Sequence, residues 1–125
     1  VGPARLAVAE SLSRSAGEAA GRALLAIEER PTAVIAVSDE LALGIYDASR
    51  HLGAAMPGEL SVVSFDDTET ARIHELTAAF IPYRPMGELA GTLVLERLAG
   101  REPPEPMRFP CTLTLRGSTA PAPGR

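Results

Sequence analysis

Hydrophobic positions along the chain alternate between two periods. Arg5 to Ala9 (RLAVA) is a short apolar run that predicts a strand. The next segment sets Ala16, Ala19, Ala20, Ala23, Leu24 and Ile27 on one helical stripe, with Ser13 or Ser15 as its cap, and Pro31 ends it. Ala33 to Val37 (AVIAV) is continuously apolar, the pattern of a strand buried on both faces of a parallel sheet. Ser38 then falls at an N-cap position. The helix it opens, Asp39 to His51, carries Leu41, Leu43, Ile45, Tyr46 and Leu52 and stops at Gly53. A turn at Met56-Pro57-Gly58 leads into a third strand, Leu60 to Phe65.

Beyond Phe65 the pattern weakens. Leu76 to Ile81 reads as a fourth strand, and Pro82 and Pro85 lie near the start of a helix whose stripe is Met86, Leu89, Ala90, Leu93, Val94 and Leu98. Gly100 closes that helix. A proline-rich connection, Pro103 to Pro106, precedes a last strand around Arg108 to Leu115, and Gly117 to Arg125 reads as a frayed, turn-like tail. The alternation of periods predicts an α/β domain.

Composition narrows the function. A chain of 125 residues, 46% hydrophobic, supplies a core without disulfides. The single Cys111 has no partner for a bridge or a zinc knuckle, and the expectation is a buried thiol in a reducing, cytoplasmic setting. No apolar run approaches the roughly 20 residues that cross a bilayer. All twelve basic residues are arginine, and Lys, Asn and Gln are absent. That excludes Walker-type phosphate binding and Schiff-base chemistry. With a net charge of −4 and no basic block, this segment has no footprint for gripping DNA by itself.

The chemistry that remains is acidic and follows strands. Three polar turns come directly after predicted strands: Glu10-Ser11-Leu12, Ser38-Asp39-Glu40 and Asp66-Asp67-Thr68. In open parallel sheets ligands bind beyond the carboxyl ends of the strands, where loops converge. A carboxylate there can accept hydrogen bonds from sugar hydroxyls or a ligand amine, or can cap the next helix. The cap reading is the stronger for Asp39. Asp66 and Asp67 could also hold a divalent metal for phosphoryl transfer, but receiver domains pair such acids with a lysine, which is absent here. His51 ends a helix, and neither it nor His74 stands beside a Ser or Cys in a nucleophile pattern. Tyr46, Phe65 and Phe80 read as core before stacking platforms.

The runs PTAVIAVSDELALGIYDASRHLG, LSVVSFDDTETARIHELTA, MGELAGTLVLERLAG and LTLRGSTAP, in that order, resemble the carboxyl-terminal part of LacI/GalR (lac/gal repressor-type) transcription regulators. That family is similar to type I periplasmic sugar-binding proteins, with two α/β subdomains clamping a small effector. The resemblance implies a Rossmann-like parallel-sheet subdomain, residues 1–120, of a truncated effector-binding and dimerisation region, with 121–125 as tail. The helix at 86–98 would belong to the other subdomain. A missing first strand, and an operator-binding helix-turn-helix, would precede Val1.

By resemblance, Asp66 is the effector-contacting aspartate, Phe65 its preceding aromatic and Asp67 the acid that shapes the loop. Ser38 stands where the family usually has asparagine, and Leu12 where some members place an aromatic against the sugar. Phe80 and Ile81 replace the polar residues usual before Pro82. Leu43 and His74 match positions buried between subunits of a homodimer. No catalysis, cofactor or metal is implied. The function implied is that of a repressor portion sensing a sugar or related metabolite, and operator DNA is reached only through the absent headpiece. A transport or chemotaxis binding protein of the same fold, and a metal-dependent enzyme on Asp66 and Asp67, are the alternatives.

Overall fold

The computed structural model describes residues 5–102 and 106–122. Helix α1 spans Arg14–Leu25 and opens at Ser13, whose Oγ accepts the Ala16 N–H at 3.2 Å. Helix α2 spans Asp39–His51. Asp39 and Glu40 in its first turn and Arg50 and His51 in its last complement the helix dipole. The four strands are β1 (Ala33–Ile35), β2 (Ser61–Asp66), β3 (Thr77–Phe80) and β4 (Thr112–Thr114), ordered β1-β2-β3-β4. The first three run parallel, with Val34 opposite Val62 and Ser64 opposite Ala78. β4 lies antiparallel to β3, with Leu113 opposite Ala79. A cis Met56–Pro57 bond lies in the turn before β2.

One of the two remaining helices had no signal in the hydrophobic pattern, and the other forms as predicted but lies open. α3 is a short helix, Glu69–Ile73, after the acidic pair, and its Ala71 is buried. α4 spans Tyr83–Leu98 and buries none of its residues; Leu89 and Leu93 are half-buried, while Met86, Val94 and Leu98 are exposed. The core lies between α2 and the sheet, where Leu41, Leu43, Ile45, Leu60, Val62 and Leu76 cluster with Ala78.

Several expectations are corrected here. Arg5 to Ala9 forms no strand: Leu6 and Val8 are exposed, and β1 is the outermost strand on its side of the described sheet. An extended run becomes a strand only when a neighbour takes its backbone groups. Instead the run borders a groove of about 600 Å3 against the Ala16, Ala19, Ala20, Ala23 face of α1. β1 is not buried on both faces either, since Ile35 is 71% exposed. Cys111 is exposed, lying just ahead of the outermost strand β4. Leu43 is 2% exposed within the core and offers no surface to a second subunit. Substituting Leu43 by Arg is therefore expected to disrupt the fold of a single chain.

The start of the proposed tail is also held firmly. Ser118 is buried in the fork between β2 and β3. Its Oγ donates to the Val62 carbonyl at 2.6 Å and accepts the Thr77 N–H at 2.7 Å. Its backbone N–H donates to the Glu75 carbonyl, and its carbonyl accepts the Val62 N–H. Gly117 to Ala120 thus acts as a wedge that joins two strands, and Pro121 and Ala122 beyond it are exposed. Ser118→Ala is expected to lower stability by about 2–4 kcal/mol, because two buried backbone groups lose a partner. A urea midpoint unchanged from wild type would show that the wedge bears little weight.

Helices α1 and α2 meet almost backbone to backbone. A Cβ on Gly17 would lie 2.5 Å from the Leu41 carbonyl oxygen, so only glycine permits this approach. At the ends of the contact, Arg14 grips Asp47 with two hydrogen bonds of 2.6 and 2.8 Å. Glu18 accepts from Arg22 on its own helix and faces His51 of α2. The Arg14 hydrogen bond holds the Asp47 carboxyl below the usual carboxylate range, and Arg22 does the same for Glu18.

A depressed folded pKa stabilises above the unfolded value of about 3.9, and that contribution is lost as pH falls through the folded pKa. Asp47→Asn is therefore expected to be less stable than wild type at pH 7, with the difference closing as pH falls below the carboxylate range. Chemical denaturation at pH 7 and at about pH 3 checks this. A difference that is the same at both would exclude the ion pair as its cause.

Candidate functional site

The carboxyl ends of β1 and β2 bring two of the three acidic turns together. The Ala36 N–H donates to the Val63 carbonyl at 2.8 Å, which sets the turn at Ser38 and Asp39 beside the end of β2. Ser38 is the N-cap of α2: its hydroxyl accepts the Leu41 N–H at 3.3 Å, and the residue is 7% exposed. A hydroxyl so engaged and buried has little reach toward a ligand. Asp39, 2% exposed, does not cap its own helix. Its Oδ1 accepts from Ser64 Oγ at 2.5 Å, and its Oδ2 accepts from both the N–H and Oγ1 of Thr68 at 2.8 Å. Because the Ser38 side chain already takes the N-cap position, the Asp39 carboxylate is free to clamp β2 and the start of α3.

The acidic pair sits on a backbone that few residues accept. Asp66 has φ 100° and Asp67 φ 54°, so two consecutive non-glycine residues occupy the left-handed side of conformational space. Each such residue costs on the order of 1–3 kcal/mol, which the surroundings must offset. The turn sends the two carboxylates to different partners. Asp66 Oδ1 accepts from the Tyr83 phenol at 2.5 Å. Asp67 Oδ1 lies 2.7 Å from Arg116 Nη2, an ion pair off the N–H axis, while its Oδ2 accepts from Thr114 Oγ1 at 3.3 Å. Arg116 also donates through Nη1 to the Leu76 carbonyl at 2.7 Å. Asp67 thus ties the loop to the segment after β4; it is not the side-chain cap of α3, whose N-cap residue Thr68 gives its own N–H to Asp39.

The hydrogen bond to Asp66 pushes the Tyr83 phenol above its ordinary pKa. Tyr83 starts α4 and is 57% exposed. Phe65 is half-buried and, by strand alternation, faces away from Ser64. Phe80 lies directly opposite Asp66 in the β2–β3 ladder, with its ring exposed.

The other candidates are dispersed. Leu12 is 67% exposed in the loop before α1, where the Ser11 and Ser13 hydroxyls bond each other at 2.9 Å. His74 ends α3 and is exposed. The groove along α1 is lined mostly by alanine methyls and apolar side chains, with Arg5 and Glu10 its only charged residues, so the polar chemistry gathers at the Asp66 turn. Among the described residues, no group of three or more His, Cys, Asp or Glu is placed to hold a metal ion, and no helix is long and apolar enough to cross a membrane.

No local pattern singles out Tyr83, Arg116, Ser64 or Ser118. Each acts through a partner distant in the chain, and only a tyrosine directly after Pro82 at a helix start was available as a sign.

The fold that carries this turn is shared with known proteins. Residues 2–119 match the periplasmic binding protein-like domain. The chain belongs to that family. Within it, the likeness is to LacI-type regulators. The lactose operon repressor of Rhizobium radiobacter is 36% identical over 99 residues, 78% of this chain and 88% of that protein. A LacI family transcriptional regulator from Bifidobacterium animalis subsp. lactis superposes with a TM-score of 0.81 at 32% identity, covering 89% of this chain and 42% of that one. A LacI family transcriptional regulator from Enterococcus faecium, solved with bound ribose, gives a TM-score of 0.75 at 28% identity over 89% of this chain and 42% of its own. This periplasmic binding protein-like domain thus spans less than half the length of the solved regulators. Its relatives named here are regulators of transcription, not enzymes.

Proposed function

We propose that this chain is the sensing portion of a LacI-type transcription repressor, in which Asp66 accepts hydrogen bonds from the hydroxyls of a sugar or similar polyhydroxylated effector. The observation that carries the reading is the Asp66 turn itself: a half-exposed carboxylate on the last residue of a parallel strand, whose backbone is held at φ 100°. Local backbone strain of this kind persists where the surroundings over-determine it, and it concentrates at ligand sites. Tyr83 engages one oxygen of the carboxylate, while Oδ2 takes no hydrogen bond from the described residues. The ribose held by the Enterococcus faecium regulator supports a polyol as the effector class.

In this reading the effector favours one arrangement of two subdomains, and that arrangement sets operator affinity through a DNA-binding headpiece outside this chain. The working unit is a cytoplasmic homodimer without catalysis or cofactor, with exposed His74 rather than Leu43 available to a partner. Similarity to transcription regulators favours repression over solute transport.

The test is Asp66→Asn in the full-length protein, since asparagine tolerates the left-handed backbone better than alanine. A hydrogen bond to a charged group is worth about 1.5–3 kcal/mol, so binding of whichever sugar shifts the wild type should weaken roughly 10- to 100-fold with the fold retained. Calorimetric affinity equal to wild type would end the ligand role of Asp66.

A further inference from the structure

Tyr83 has no assigned role, yet it is the residue that satisfies the exposed acid of the site. Its phenol donates to Asp66 Oδ1 at 2.5 Å across 17 positions of sequence, joining the end of β2 to the first residue of α4. α4 buries no residue in the rest of the chain, and its own first turn offers few anchors. The start of α4 lacks a side-chain cap: Pro82 occupies the N-cap position with no hydrogen bond to give, and Met86 N–H reaches the Pro82 carbonyl at 3.2 Å. The Tyr83 to Asp66 bond is therefore a principal polar link between the strained acidic turn and the helix that leaves it.

We propose that Tyr83 is a positioning residue and latch of the Asp66 site: its phenol orients the carboxylate and holds the start of α4, and a ligand that claims both carboxylate oxygens releases that hold. The ligand part rests on the effector reading above. The latch would make occupancy of Asp66 legible at α4 without any contact between ligand and helix. A ligand with one hydroxyl can use the unengaged Oδ2 and leave the latch shut. A vicinal diol, which presents two donors, competes with the phenol for Oδ1.

The sequence makes the latch easy to observe. This segment contains no tryptophan and two tyrosines, Tyr46 and Tyr83, and in the full-length protein the difference between absorbance titrations with and without Tyr83→Phe isolates the Tyr83 phenol. That difference is expected to place Tyr83 ionisation above the ordinary value of about 10, and Asp66→Asn should bring it back down. Asp39 and Cys111, whose negative charges also act on this phenol, remain unchanged in the comparison.

Amide exchange on the same full-length proteins gives the second readout. Tyr83→Phe and Asp66→Asn should each speed exchange at Met86 and Gly87 about threefold to tenfold, and the double variant should add nothing further. Additive effects, or an unmoved Tyr83 titration, would overturn the latch. The two proposals fail separately: coupling of Tyr83 to Asp66 with unchanged sugar binding in Asp66→Asn removes the effector role, and the reverse outcome removes only the latch.

Discussion

Asp39→Ala is expected to cost this chain about 3–5 kcal/mol, the largest effect of any single side-chain truncation considered. The carboxylate is 2% exposed and accepts three hydrogen bonds, one from Ser64 and two from Thr68. Removing it leaves the buried Ser64 hydroxyl and the Thr68 N–H without an acceptor, and each such loss is worth about 1–3 kcal/mol. Relief of carboxylate desolvation offsets part of this, so the estimate stays below the simple sum. Against a typical net stability of ~5–15 kcal/mol, such a loss unfolds a large share of molecules in mild denaturant. Asp39→Asn retains a carbonyl acceptor and should recover part of the deficit. Equal urea midpoints for Asp39→Ala and wild type would show that the clamp between α2 and the β2 end is dispensable.

Gly44→Ala should be nearly as damaging, although alanine is the better helix former by about 1 kcal/mol. A Cβ at Gly44 would overlap the Arg14 carbonyl, the Glu18 nitrogen and the Gly17 carbonyl carbon of α1, all backbone atoms that cannot swing away. Overpacking of this sort costs typically 1–3 kcal/mol and more where backbone must move. Separating the helices would also stretch the Arg14–Asp47 pair. The expected net loss is about 2–3 kcal/mol, read from the denaturation midpoint. Gly53, which has open space around its missing Cβ but φ 69°, provides the contrast: there the cost of Ala comes from backbone strain instead of collision. A Gly44→Ala protein as stable as wild type would mean that the two helices can move apart without penalty.

Much of the candidate site could be read along the chain because its backbone elements are local. Asp66 and Asp67 follow a β-branched run, Ser38 precedes an amphipathic helix, and both patterns mark strand ends and helix starts wherever they occur. The roles of those residues were less accessible. Asp39 looked like a cap of its own helix, and its carboxylate serves α3 and β2 instead, since Ser38 already supplies the α2 cap. Leu43 matched an interface position and lies in the core. Tyr83 carried no signal beyond its place after Pro82, because a hydrogen bond across 17 residues leaves no trace in local periodicity.

While α3 and the antiparallel sense of β4 were not read, what the sequence determined by itself was the order of α1, β1, α2, β2, β3, α4 and β4, the parallel run of the first three strands and the place of the acidic turn. These follow from hydrophobic period, caps and breakers, each acting within a few residues. The tertiary structure alone decided three further things: that Arg5 to Ala9 stays unpaired, that Ser118 wedges between β2 and β3, and that Asp66 and Asp67 turn toward Tyr83 and Arg116. Each depends on which neighbour arrives to take a backbone or carboxylate hydrogen bond. Such a partner is set by packing across dozens of residues, and no local pattern specifies it.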